Sequence, residues 1–173
     1  MEIASAHRTY ALRDNGIGAA IVNFLINGAI AWLMFRTVVS VPLWGQQSIA
    51  GDTIGTGFFL PFITCLIVTP LTLRQVQSGN LPRPAWSRID HPLLARLPSG
   101  AAKRGALLGA FGALVAAPPV VLAFLVLGVG ELGLWRFIAF KAIFAAILAA
   151  IVTPLIALAA LGDASKVPSR SPG

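Results

Sequence analysis

Four stretches of this chain are too apolar and too long to fold in water. They run over about residues 17–37, 53–73, 105–129 and 134–161. Each reaches the roughly 20 apolar residues that a helix needs to cross a bilayer. Hydrocarbon offers no partner for a free N–H or C=O, so such stretches must be helical. The expected fold is therefore all-α: an integral membrane protein built as a bundle of four transmembrane helices in one membrane domain. Composition agrees. Of the 173 residues, 57% are hydrophobic and only 11% charged, with a mean hydropathy of +0.82, against roughly 25% charged residues in a soluble domain.

The first run follows Arg8 and Arg13 and so has the beginnings of a signal peptide. Its length exceeds a usual signal core of about 7–15 residues, and no small-residue cleavage site follows. It reads as a retained helix.

The basic residues sort by side. Arg8 and Arg13 precede the first run. Arg74, Arg83, Arg88, Arg96, Lys103 and Arg104 lie between the second and third, and Lys166 and Arg170 follow the fourth. Only Arg36, Arg136 and Lys141 remain for the other side, all at or inside helix ends. Positive-inside bias then predicts cytoplasmic N- and C-termini and a cytoplasmic loop over residues 74–104. The compact, loop-poor layout suits a bacterial inner (plasma) membrane. The net charge of +7 is explained by these orienting residues and does not point to nucleic acid.

The 74–104 loop holds Pro82, Pro84, Pro92 and Pro98, which exclude a long helix. Trp86, Ile89, Leu93, Leu94 and Leu97 recur at near-helical spacing among Arg88 and Arg96. Two readings fit: a segment lying on anionic headgroups, or an irregular loop packed on the helix ends. Residues 163–173 read as a polar, disordered tail.

The pentapeptide from Ile67 to Leu71 recurs from Ile151 to Leu155, 84 residues later. Gly28-Ala29 meets Gly112-Ala113 at the same offset, as Gly16 meets Gly100. This raises the expectation of two tandem helical hairpins, related by an axis along the membrane normal. Pro70 and Pro154 would then be matched kinks, each leaving a carbonyl without its helical donor. Thr69 and Thr153 stand beside them and could supply a partner.

Small residues recur four apart at Gly105, Gly109 and Ala113, and at Ala142, Ala146 and Ala150, with Ala145 and Ala149 beside the latter. They permit close helix approach, within the bundle or between copies. Gly109 and Ala146, in the middle of their stripes, are the packing positions to test.

Charges at membrane depth are functional candidates by default. Lys141 lies about two turns into the fourth run, Arg136 at its start, Arg36 at the end of the first and Asp52 at the start of the second, with Glu131 in the short loop between. The repeat offset sets Asp52 opposite Arg136. Lys141 is read in three ways. It snorkels to the headgroups, so that Lys141→Met is tolerated, it lines a wet pathway, or it pairs with a carboxylate such as Asp52. Asn23 and Asn27 are one turn apart and read as interhelical hydrogen bonders, with Asn27 a candidate for the polar site.

No catalytic, cofactor-binding or metal-binding residues can be named. The two histidines, His7 and His91, lie outside the apolar runs, Cys65 is alone, and the usual catalytic motifs do not occur. An enzyme is not expected. Two functions remain. One is an accessory or assembly subunit docking onto a larger membrane complex. The other is a small transporter or channel-like protein, which would have to form a homo-oligomer to enclose a path.

Overall fold

The computed structural model describes residues 5–165. Residues 166–173 of the expected tail, with Lys166 and Arg170, lie outside the described residues. Four helices are long and apolar enough to span a membrane: α1 (Ser5–Phe35), α2 (Ile49–Gln77), α3 (Ala101–Val126) and α4 (Leu134–Ala164). The chain is a multi-pass membrane protein with an all-α bundle.

All four helices run past the expected bounds at one end or both, α2 by four residues at each end and α3 by four at its start. α1 begins at Ser5, twelve residues before its apolar run, because Tyr10 and Ala11 bury against neighbouring helices while Arg8, Arg13 and Asp14 stay exposed. α4 continues to Ala164, so Asp163 belongs to a helix and not to a tail. Each of these 31-residue helices is about 46 Å long at helical rise, enough for hydrocarbon and headgroups together.

Between α1 and α2, β1 (Ser40–Pro42) pairs antiparallel with β2 (Glu131–Gly133), which precedes α4; Val41 faces Leu132 in the register. This small ribbon closes one end of the bundle. Besides the backbone bonds, Ser40 Oγ donates across it to Glu131 at 2.9 Å. Ser48 caps α2 by accepting from the Gly51 amide at 3.1 Å.

Packing centres on α4. It lies against both α1 and α2, while α3 lies against α2. Half of the most apolar stretch of α4 is buried inside the chain, but only 6% of that of α1. Sequence order therefore does not set the neighbours: α2 packs on the next helix, α3, but the α1–α2 pair makes no extensive contact.

Small residues set these contacts. Gly57 and Gly112 bring the backbones of α2 and α3 together. A Cβ on Gly112 would sit 2.2 Å from the Gly57 carbonyl oxygen, and one on Gly109 2.6 Å from that of Phe58. Any larger residue must separate the helices. On α4 the buried face runs through Ala142, Ala145 and Ala149, while Ala146 is half-buried and Ala150 exposed. A Cβ on Gly28 of α1 would meet Ala142 Cβ at 3.5 Å.

Prolines bend the spans without breaking them. Pro118 and Pro119 follow a π-widened stretch, Gly112–Ala116. It contains Leu114 and Val115, the residues whose carbonyls the proline rings would otherwise strike. Pro154 is buried, with its ring 3.4 Å from the Cβ position of Gly16; Pro70 is exposed. The hydroxyls of Thr69 and Thr153 have no hydrogen-bond partner, so they do not repair these breaks.

The 74–104 loop folds back onto its end of the bundle. Leu81, Trp86 and Leu94 join Tyr10, Val76 and Leu161 in one apolar cluster. His7 Nε2 lies 2.8 Å from the Pro82 carbonyl oxygen, and its ring meets the edge of Trp86. The loop is locked by one carboxylate: Asp163 takes Arg88 Nε at 3.0 Å and also pairs with Arg104. Arg88 further donates to the Leu94 carbonyl at 3.0 Å and to that of Leu97, terminating the helical turn Pro92–Ala95. Ile89 and Leu93 point outward. Loop packing on the helix ends is therefore the arrangement adopted by Trp86 and Leu94.

Candidate functional site

α1 and α2 meet at Tyr10 and Thr72, whose hydroxyls lie 3.0 Å apart, but they pack little along the rest of their length, and a groove lies between them with α4 as its floor. Its volume is about 850 Å³, within the roughly 300–1,000 Å³ of small-ligand sites. It extends along α2 from Ser48 to Val68 and along α1 from Asp14 to Phe35, about 30 Å on either helix and so most of the bilayer core. Its rims are exposed: Ile26 and Ile30 on α1, Phe59 and Ile63 on α2.

The chemistry of the groove is concentrated in one pair. The Lys141 ammonium on α4 donates to the Asp52 carboxylate on α2. Both side chains are nearly enclosed, at 5% and 9% exposure. Lys141 lies seven residues inside α4, about 10 Å from its first residue. It does not extend to the headgroups as a lone snorkelling chain would. It ends on a carboxylate, which answers the Coulomb cost of a charge in hydrocarbon.

The remaining polar residues line the walls. Asn23 donates to the Ala19 carbonyl at 2.9 Å, and Asn27 to that of Asn23 at 3.1 Å. Both amides donate within α1, and among the described residues neither bonds another helix, unlike the interhelical role expected of them. Thr153 is buried on α4 beside the groove with its hydroxyl unpartnered. Gln46, Gln47 and Ser48 form the mouth at the ribbon end.

The other charged candidates lie apart. Asp52 pairs with Lys141 and not with Arg136, because Arg136 is exposed on the far side of the α4 start. Arg36 is exposed and sits over the Trp32 ring at 5.5 Å. Glu131 is held in the ribbon by Ser40. No single charged cluster forms at this end.

Sequence reading missed the groove and the double role of Asp163. The groove depends on which helices are neighbours, which no local pattern reports. Asp163 carried a usable signal as the sole acid near the end of the fourth run, opposite a loop rich in arginine. Among the described residues, no group of three or more His, Cys, Asp or Glu side chains could hold a metal ion. Comparisons with protein-family models, curated proteins and solved structures return no match to this chain.

The pair defines a test. Lys141→Met strands a buried carboxylate and should lower stability by about 3–5 kcal/mol. Adding Asp52→Asn in the same chain should recover most of that loss. Thermal unfolding of the three proteins in one mild detergent measures both steps. A Lys141→Met protein as stable as the parent would mean that the pair contributes nothing.

Proposed function

We propose that the chain is an accessory or assembly subunit of a larger membrane complex, without catalysis of its own, in a bacterial inner membrane. The observation that carries this reading is the sparse burial of α1, which packs chiefly on α4 and keeps most of its apolar surface outward. The bundle interior is largely apolar. Three apolar clusters fill it along α4, from the ribbon end through Leu60 and Ala149 to Leu161. The intramembrane charges neutralise each other. What the chain can offer a partner is its lateral surface.

The charge count supports cytoplasmic placement of both termini and the 74–104 loop. Ile89 and Leu93, exposed on that loop beside exposed Arg96, would then rest among anionic headgroups. The helix neighbours also favour a duplicated hairpin. Exchanging the halves turns the α1–α4 contact into the α3–α2 contact and leaves α2–α4 in place. It also maps Gly28, which meets α4, onto Gly112, which meets α2.

The transporter reading draws on Asn23, Asn27 and Thr153, which set polar groups along the groove, and it requires several copies.

Solubilisation of native membranes in mild detergent, followed by mass measurement, separates the two. The accessory role predicts a stable complex with a larger, different polypeptide. A homo-oligomer alone, with solute flux after reconstitution, would replace it with the transporter. Orientation is checked on intact cells with an impermeant thiol reagent. A cysteine replacing Gln47 should react and one replacing Ser78 should not; the reverse pattern would invert the topology.

A further inference from the structure

We propose that the groove between α1 and α2 is a binding site for one phospholipid with a zwitterionic headgroup, the head seated on the Lys141–Asp52 pair. This goes beyond the accessory role and does not depend on which complex the chain joins.

The Lys141–Asp52 pair has unused bonding capacity. An ammonium has three N–H donors and a carboxylate has two accepting oxygens. Among the described residues, Lys141 donates only to Asp52 Oδ1, and no hydrogen bond reaches Oδ2. Both side chains line the groove. Each therefore keeps capacity directed at whatever fills it, in surroundings where unmet polar groups are costly.

The pair carries no net charge but presents both signs side by side. A phosphate can take the free Lys141 donors while an ammonium on the same headgroup takes Asp52 Oδ2. A headgroup with only a negative charge would meet Lys141 but face Asp52 unpaired. Gln46 and Gln47 add uncharged donors and acceptors at the mouth.

The rest of the groove suits a hydrocarbon tail. Ile26, Ile30, Phe59 and Ile63 form its rims. The opening runs sideways into the membrane, so a molecule already dissolved in the bilayer can enter without crossing water. Gly55 lies on the α2 wall, and a Cβ there would meet nothing within 4 Å. That space is available to a ligand.

The test uses purified, delipidated protein offered phosphatidylethanolamine or phosphatidylglycerol with the same acyl chains, with bound lipid counted by native mass spectrometry. Retention of one phosphatidylethanolamine is expected, with phosphatidylglycerol retained about tenfold more weakly. Gly55→Phe fills the groove and should reduce phosphatidylethanolamine retention about tenfold at unchanged thermal stability. The double variant Lys141→Met with Asp52→Asn should fold and bind both lipids alike. Equal retention of the two lipids by the parent protein would overturn the proposal. So would undiminished retention by Gly55→Phe, or cross-linking of a photoreactive residue at Ile63 to a polypeptide in place of added phosphatidylethanolamine.

Discussion

Hydrocarbon gives helices no hydrophobic reason to associate, and this constraint shapes the whole bundle. Cohesion must come from close backbone approach and from polar groups that pair inside. Both devices converge on α2 and α4. The Gly57–Gly112 crossing joins α3 to α2, and the face of Ala142, Ala145 and Ala149 lets neighbours close on α4. The Lys141–Asp52 pair ties α4 to α2 at membrane depth. α1 leans on this core from one side, where Ala142 meets Gly28.

The two ends are secured differently, and the difference bears on function. At the ribbon end, two three-residue strands and the tilted rings of Phe35 and Phe137, with centroids 4.7 Å apart, hold the bundle. At the loop end, a single acid restrains two arginines from different elements, Arg88 in the loop and Arg104 on α3. Gly162 leaves room for the Arg88 backbone, which would otherwise lie 2.7 Å from a Cβ. With both ends closed and the centre filled, the groove beside α1 is where the chain meets its surroundings.

The four spans were legible because apolar length is a local property. Their ends were less so. Tyr10 and Ala11 carried α1 past its apolar run by burying against neighbours, and Asp163 extended α4 by pairing with residues 59 and 75 positions away. The charged candidates divided in the same way. Lys141 and Asp52 stood out as charges at membrane depth, but their pairing spans 89 residues of sequence. The exposure of Arg36 and Arg136 follows from helix rotation, which a pattern of alanines leaves undetermined. Of the alanines that spacing marked, rotation of α4 buries Ala142, Ala145 and Ala149 and leaves Ala146 half-buried and Ala150 exposed.

The groove exists because α1 packs chiefly on α4 and only lightly on α2. Oxidative cross-linking tests this directly in a Cys65→Ser background. The Cβ positions at Gly28 and Ala142 are 3.5 Å apart, at the lower edge of disulfide geometry, about 3.5–4.5 Å. The double variant Gly28→Cys with Ala142→Cys should form an intramolecular disulfide readily in native membranes. Ile26→Cys with Ile63→Cys, across the groove, should remain reduced. A bond across the groove and none between α1 and α4 would mean that the groove is closed and that the helices are arranged differently.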